Sequence, residues 1–349
     1  MTVIDIGTDS IKAGRFKKRG KSIFIEGLSI KSLPYQTIRE GRIVDEAVVS
    51  NRLSEIVNEL KCRGDRIITT IPNNNLVIRN MELPEMDDKA RLAEAIKWES
   101  EDHLPFPDEG SVQDFKILSR EDGKVQILLV ATKRDMIDNI LGVFERISLT
   151  PSVINIQPMA LISLADYQNN IENIVAIIDI GTSGTRVIIG DRQNIYLSRN
   201  IDIGGNDFTK IIMDEEKLNY IDAENVKKKN GIPEVLEEDD IESIAQMAAT
   251  GMGQGHYMTA LARNLAEQIG RSLDYYNMKY RNKIDRIFIT GGGSRLEGLK
   301  EIIERGIERD LSTLDPFINI GYKKNISLKG EEFAVTVGLA VSEVLPDEG

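Results

Sequence analysis

One four-residue motif occurs twice in the chain, and the two copies lie almost half a chain apart. The first copy is Asp5-Ile6-Gly7-Thr8 and the second is Asp179-Ile180-Gly181-Thr182, an offset of 174 residues in a chain of 349. Apolar residues precede both copies, and a small polar cluster with a basic residue follows each. A β-rich run, a tight turn and a second β-rich run predict a hairpin at each copy. The repeat therefore predicts two structurally related halves.

A third glycine-rich site lies near the carboxyl end of the chain. The apolar run Arg286–Thr290 leads directly into three glycines and Ser294. Consecutive glycines allow backbone to approach a ligand closely. The pattern predicts a buried strand, a glycine turn and a helix over 294–309, with Ser294 as its N-cap and a free helix N-terminus that favours phosphate. The sequence contains neither the G-x-G-x-x-G fingerprint nor the P-loop pattern. The absence of these motifs argues against a Rossmann fold and against a P-loop nucleotide-binding protein.

Helical periodicity alternates with the predicted strands. Apolar spacing predicts helices over 45–61, 87–100, 134–147, 206–218 and 257–280. Strands in hairpins that alternate with such helices are typical of the α/β class.

Composition and charge exclude several classes of protein. The net charge of −12 argues against a general nucleic-acid binder, which shows a basic surface. The single cysteine, Cys62, forms no internal disulfide and indicates a reducing compartment. The sequence contains no signal-peptide pattern and no apolar run of transmembrane length, so we expect a cytoplasmic protein.

The two Asp-x-Gly-Thr turns and the glycine-rich site together predict a phosphate site. Facing turns would hold phosphates through backbone N–H groups and hydroxyls, and Lys12 would neutralise a phosphate directly. Asp5 and Asp179 would repel bare phosphate, which implies a bridging Mg²⁺ bound mostly through water. For one copy an ordinary turn is the better interpretation. Two copies and a third glycine site favour the phosphate site.

This combination of three sites resembles the actin-like ATPase superfamily. The resemblance implies an α/β fold of actin-like (ribonuclease H-like) type, with two lobes that close on ATP. It implies nucleotide contacts from the first turn (Asp5, Gly7, Thr8, Ser10, Lys12), the second turn (Asp179, Gly181, Thr182, Ser183, Thr185), Gly205, and an adenosine site (Gly291, Gly292, Gly293, Ser294). Glu224 and Lys227 resemble a pair that contacts ribose and base. The alternative for that pair is a solvated i,i+3 ion pair.

The middle of the chain resembles one family within that superfamily. Residues 95–107, with Trp98-Glu99 and Leu104-Pro105-Phe106, resemble the type IV pilus assembly PilM family. Supporting stretches at 158–161, 204–209, 271–276 and 332–340 extend the resemblance over essentially the whole chain.

The resemblance also implies a division of the chain. The first lobe would comprise 1–83, completed by 151–174 and 326–349, and an inserted subdomain would occupy 84–150. The second lobe would comprise 175–325, with a smaller helical subdomain over 206–282.

The family implies a membrane-bound partner. A PilM-like protein is an ATP-binding scaffold that binds the N-terminal cytoplasmic peptide of a bitopic PilN-like protein, so membrane association comes through the partner; self-association stays open. Residues 85–122 carry a net charge of −7, which suits the basic tails common beside transmembrane helices. Trp98 and Phe106 are predicted to contact an apolar anchor of the peptide. The alternative interpretation is that these two side chains pack in the core of the protein.

One departure from the family pattern concerns catalysis. Asn155 and Gln157 stand where the family usually has acids. An amide can orient a water but is no general base. We therefore assign no catalytic residue and expect slow or negligible ATP hydrolysis, with turnover below about 1 s⁻¹.

The resemblance to this superfamily allows two alternative functions. A small-molecule kinase needs a catalytic acid and a sugar pocket, and neither is evident in the sequence. An FtsA-like cell-division protein would need a basic amphipathic C-terminal helix, which Leu345-Pro346-Asp347-Glu348 does not supply.

Overall fold

The computed structural model describes residues 1–72, 76–86, 88–101, 104–106, 110–232, 253–323, 326 and 330–345. Residues 346–348, which carry the expectation about a C-terminal helix, lie outside the described part of the chain.

The first copy of the repeat lies at the centre of a six-stranded sheet. Its strands are β1 (Thr2–Ile6), β2 (Ser10–Arg19), β3 (Ser22–Ser32), β6 (Ile67–Ile71), β10 (Val153–Ile156) and β16 (Gly321–Tyr322). The strand order is β10-β6-β1-β2-β3-β16. Strand β1 pairs antiparallel with β2 and parallel with β6. Val3 and Ile4, which face opposite sides of the sheet, are both buried, so the strand is covered on both faces.

The second copy lies at the centre of a five-stranded sheet. Its strands are β11 (Val175–Ile180), β12 (Thr185–Gly190), β13 (Ile195–Ile201), β14 (Arg286–Thr290) and β15 (Ser312–Thr313). The order β13-β12-β11-β14-β15 places the hairpin partner on one side of β11 and a parallel strand on the other, as around β1. The motif repeat is therefore a repeat of sheet topology.

A third, smaller sheet has its own core. Strands β7 (Val77–Pro84), β8 (Ser111–Glu121) and β9 (Lys124–Lys133) pair antiparallel in the order β7-β9-β8. Helix α2 (Lys89–Glu101) packs Leu92 and Ile96 against Met81 and Val125. The sheet begins at Val77, before the boundary predicted at residue 84. A two-stranded ribbon, β4 (Ile38–Arg39) and β5 (Arg42–Ile43), follows β3.

The helices cover the two large sheets. They are α1 (Glu46–Leu60), α3 (Arg134–Glu145), α4 (Gln157–Asn169), α5 (Gly205–Glu216), α6 (Tyr220–Asn230), α7 (Gly253–Tyr280), α8 (Leu299–Ile307) and α9 (Ala334–Ser342). The first begins where the carboxylate of Asp45 accepts a hydrogen bond from Val48 N–H. Within the described ranges no helix is both long and apolar enough to cross a membrane.

The predicted helix over 294–309 is wrong at its start. Residues Gly292–Arg295 form a short 3₁₀ turn, and the α-helix begins only at Leu299. Between them Gly298 adopts a left-handed conformation with φ of +83°, which interrupts helical geometry. Ser294 is therefore not an N-cap: its hydroxyl donates to Gly291 O within the 3₁₀ turn, at 2.7 Å.

Helices α4 and α9 cross in close contact at the centre of the molecule. Both contribute to the largest core cluster, which also contains residues of both large sheets, and Ala334–Val341 are all buried. The crossing requires a residue without a side chain. A Cβ on Gly338 would lie 2.2 Å from the carbonyl oxygen of Ala160.

We predict that Gly338→Ala destabilises the protein by about 1–3 kcal/mol, because the added methyl forces the two helices apart. Gly142→Ala in α3 is the matched control, since a Cβ there meets nothing within 4 Å. That control is expected to raise the free energy of unfolding by up to about 1 kcal/mol through helix propensity. Urea unfolding of both variants measures the difference. Equal stability of the two variants would contradict the close crossing.

Candidate functional site

A cavity of about 640 Å³ lies between the two hairpin turns, and we call it the interlobe cleft. This size is in the range of sites for small molecules. Every nucleotide contact predicted from the sequence lines the cleft except Ser294: Asp5, Gly7, Thr8, Ser10, Lys12, Asp179, Gly181, Thr182, Ser183, Thr185, Gly205, Glu224, Lys227, Gly291, Gly292 and Gly293. The glycine-rich turn thus lies at the cleft although its predicted helix does not start there.

The two turns have the same local geometry. Gly7 N–H donates to Ser10 O at 3.1 Å, and Gly181 N–H donates to Gly184 O at 2.9 Å. The hydroxyls of Thr8 and Ser183 are hydrogen-bonded at 3.0 Å, which joins the two turns directly. The turns that the repeat predicts to face each other are therefore in contact.

Glycines from separate segments pack against the second turn. A Cβ on Gly204 would lie 2.4 Å from Gly184 N, and a Cβ on Gly291 would lie 2.5 Å from Asp179 Oδ1. Gly291 also has a φ of +88°, which other residues rarely adopt. Gly205 N–H donates to Gly181 O at 3.0 Å. These glycines therefore serve the packing of backbone around the turn as well as the shape of the cleft.

Two carboxylates face the cleft from the ends of β1 and β11. Asp5 is 4% exposed, and burial raises its pKa, while Lys12 and hydrogen bonds from Gln157 and Thr70 lower it. Burial likewise raises the pKa of Asp179, with Arg186 acting in the opposite direction. Neither carboxylate forms an ion pair with another described residue within 4 Å. Asp5 is buried and Asp179 half-buried, and both carboxylates have oxygen lone pairs available to a ligand.

This donor set fits a magnesium–phosphate ligand. Mg²⁺ commonly takes one or two protein carboxylates and completes its shell with water and phosphate oxygens. Among the described residues no group of three or more His, Cys, Asp or Glu side chains could hold a metal by itself. Asp5 and Asp179 suit an ion that arrives with phosphates better than a resident metal.

Arg186, Asn200 and Gln157 also line the cleft and form a hydrogen-bonded group that the predicted nucleotide contacts do not include. Arg186 is buried in the cleft, and its guanidinium donates to Asn200 Oδ1 at 3.0 and 3.1 Å and to Gln157 Oε1 at 3.1 Å. Burial lowers the pKa of Arg186 to about 10, with Asp179 opposing. The repeat itself contained the signal, because Arg186 holds the position in the second copy that Lys12 holds in the first.

Glu224 and Lys227 form an ion pair at one wall of the cleft, in which the lysine is buried and the glutamate half-buried. Their charged atoms are 2.6 Å apart, and Lys227 is only 7% exposed, so the solvated alternative is wrong. Lys227 also donates to Gly205 O at 2.9 Å and to Thr209 Oγ1 at 2.8 Å. Burial raises the pKa of Glu224, but attraction to Lys227 and hydrogen bonds outweigh it and lower the pKa overall. The pair fixes α6 against the start of α5.

An aromatic stack joins the two halves beside the cleft. The rings of Tyr35, in the loop after β3, and Tyr220, at the start of α6, lie 4.3 Å apart and nearly parallel. Tyr220 donates its hydroxyl proton to Asn206 Oδ1 at 2.7 Å. Both tyrosines line a second cavity of about 240 Å³ that shares Thr8 and Ser183 with the cleft.

The two predicted peptide contacts have different environments. Trp98, on α2, is 78% exposed, so core packing of its side chain is wrong. Phe106 is half-buried in the segment after α2. Neither lines the interlobe cleft. Trp98 is therefore a large apolar side chain at the surface of this subdomain.

Comparisons with known proteins agree on one family and one fold. The family model described as type IV pilus assembly protein PilM matches residues 3–344. A solved PilM-PilN type IV pilus biogenesis complex is similar with a TM-score of 0.82 and 22% identity, covering 99% of this chain and 98% of that chain.

More distant relatives share the same architecture. Ethanolamine utilization protein EutJ of Carboxydothermus hydrogenoformans has a TM-score of 0.53 at 13% identity, covering 97% of this chain and 88% of its own. Cell division protein FtsA of Bacillus subtilis is 21% identical over an alignment of 376 positions. That alignment covers 96% of this chain and 81% of FtsA. The fold is the actin-like α/β fold that the sequence predicts.

We predict that Asp5→Asn raises the free energy of unfolding at pH 7 in the absence of divalent ions. Because the pKa of Asp5 is raised in the folded protein, ionisation above the unfolded value of about 4 costs stability, and the cost vanishes below it. The gain should therefore shrink as the pH falls towards 4. Urea unfolding at pH 7 and pH 4.5 measures it, with the exposed Asp138→Asn as control. A variant less stable than the wild type at pH 7 would count against a desolvated carboxylate.

Proposed function

Because the chain belongs to the type IV pilus assembly protein PilM family, we propose that it is an ATP-binding scaffold of a pilus or related secretion machine. One observation carries the nucleotide part of this proposal. The interlobe cleft brings together two equivalent turns, the carboxylates of Asp5 and Asp179 and the cations of Lys12 and Arg186 from segments far apart in the chain. Anions with a divalent counter-ion fit that arrangement, since fixed charges of both signs face one cavity.

Each group in the cleft has a proposed task. The N–H groups and hydroxyls of the two turns, Thr8 and Thr182 among them, would hold phosphates, and Lys12 would neutralise them. Asp5 and Asp179 would hold Mg²⁺ through water, and the bound ion would supply charge neutralisation at the phosphates. Gly291–Gly293, Glu224 and Lys227 would border the nucleoside, with Lys227 acting chiefly by fixing Gly205.

We propose that turnover is slow. Gln157 Nε2 lies 3.3 Å from Asp5 Oδ1, and its oxygen accepts from Arg186, so its amide is held in place at the phosphate end of the cleft. An amide in that place orients groups but takes no proton. The cleft is therefore suited to binding and to holding the two lobes together, which is what a scaffold requires.

We propose that the partner is the N-terminal cytoplasmic peptide of a PilN-like bitopic membrane protein. The exposed Trp98 offers an apolar contact, and the exposed Glu94 lies one turn before it on the same face of α2. Together with the net charge of −7 over residues 85–122, this surface suits a basic peptide with an apolar anchor. Through this partner the protein would lie at the inner face of the membrane.

We predict that Asp5→Asn and Asp179→Asn each weaken Mg-ATP binding by about tenfold or more, because each removes a charge that positions the ion. Isothermal titration calorimetry of the full chain measures the dissociation constant. Asp138→Asn, on the exposed face of α3, is the matched control. If both variants bind Mg-ATP as tightly as the wild type does, the two aspartates take no part in binding it.

We predict that Trp98→Ala weakens binding of a synthetic PilN-like N-terminal peptide by about tenfold or more without changing thermal stability. Stability should hold because the indole is 78% exposed. Met278→Ala, at a residue 75% exposed on α7, is the control and should bind the peptide normally. Calorimetric titration with and without Mg-ATP gives the affinity and its coupling to the nucleotide. Absence of peptide binding by the wild type contradicts the pilus scaffold itself.

A further inference from the structure

Arg186 is a buried cation that forms no direct ion pair, although the carboxylate of Asp179 is near enough to raise its pKa. It is 8% exposed, and no carboxylate of a described residue lies within 4 Å of its guanidinium. Its hydrogen-bond partners are the neutral amide oxygens of Asn200 and Gln157. A buried charge of this kind is costly unless an opposite charge arrives to pair with it.

The guanidinium is also directed at the cleft and only partly used. Three of its five N–H groups donate to the two amides, and the other two have no hydrogen-bond partner in the described part of the chain. Arg186 lines the cavity together with Lys12 and the two aspartates. Two neutral amides thus hold a cation in a fixed orientation with donors left for a ligand.

We infer that Arg186 is a phosphate-binding residue of the cleft, and that Gln157 and Asn200 position its guanidinium without neutralising it. This inference rests on the proposed nucleotide site and deepens it. A guanidinium offers paired N–H groups that match phosphate oxygens. With Lys12 opposite Asp5 and Arg186 opposite Asp179, the site carries two fixed cations and is less dependent on Mg²⁺ for binding phosphates.

The same geometry explains the amide at position 157. The oxygen of Gln157 lies 3.1 Å from Arg186 Nη1. A carboxylate there would form an ion pair with Arg186 and cancel the charge that phosphate needs. Glu at this position would therefore weaken nucleotide binding, whereas a role as missing catalytic base would predict faster hydrolysis.

The test compares the affinities of ATP and adenosine by calorimetry in EDTA. We expect Arg186→Met to bind ATP about 10- to 100-fold more weakly, and Gln157→Glu about tenfold more weakly. Arg186→Lys keeps the positive charge but loses the paired N–H groups of the guanidinium. Its ATP affinity should lie between those of Arg186→Met and the wild type. Adenosine affinity should change by less than about twofold in all three variants, a pattern that a general structural defect does not produce.

The matched control is Arg199→Met, which removes the same charge from an exposed position on β13 beside Asn200. It should bind ATP as the wild type does. If Arg186→Met fails to fold, Gln157→Glu and Arg186→Lys decide the question. Wild-type ATP affinity in those variants overturns the inference and leaves the proposed site intact. A wild-type protein that binds neither ATP nor ADP, with or without Mg²⁺, overturns both.

Discussion

The antiparallel register of two hairpins fixes the charges of the cleft. Strand pairing sets Asp5 directly opposite Lys12 and Asp179 directly opposite Arg186. Residues paired in this way stay within a few ångströms of each other as long as the sheet is intact. Because β1 and β11 are the central strands of the two large sheets, the backbone positions of these four residues cannot change without loss of the core. The cleft therefore holds these two carboxylates and two cations at fixed points along the backbone.

Close packing of backbone around the second turn holds that turn, and the charged residues beside it, in place. Gly204 and Gly291 approach the turn so closely that no side chain fits at either position. Through Gly205 the turn is hydrogen-bonded to α5, and through Lys227 it is linked to α6. The turn, the glycine-rich segment and the two helices therefore behave as one unit, because close-packed backbone transmits displacement. On the other side, the Thr8–Ser183 hydrogen bond and the Tyr35–Tyr220 stack connect this unit to the first half.

Under the proposed function, the amide at position 157 is what keeps nucleotide hydrolysis slow. Gln157 connects Asp5 to Arg186 and is neutral, so it leaves one acid and one cation available to a ligand. A carboxylate in its place would gain a proton acceptor but lose the arginine to an ion pair. Binding and rapid turnover therefore make opposite demands on this position. The residue present favours binding, as the proposed scaffold function requires.

The sequence by itself determined the duplicated sheets, and all but one of the nucleotide contacts predicted from it line the cleft. Motifs such as Asp5–Thr8 and Asp179–Thr182 span the end of a buried strand and the turn after it, where local sequence dictates backbone geometry. Tertiary structure decided the remainder. Gly298 displaced the start of α8 from Ser294, and burial without an ion-pair partner is visible for Arg186 only once β12, β13 and α4 are together. The exposure of Trp98 likewise depended on the packing of α2. Burial and charge pairing depend on contacts between residues that are far apart in the sequence, so no local sequence pattern predicts them.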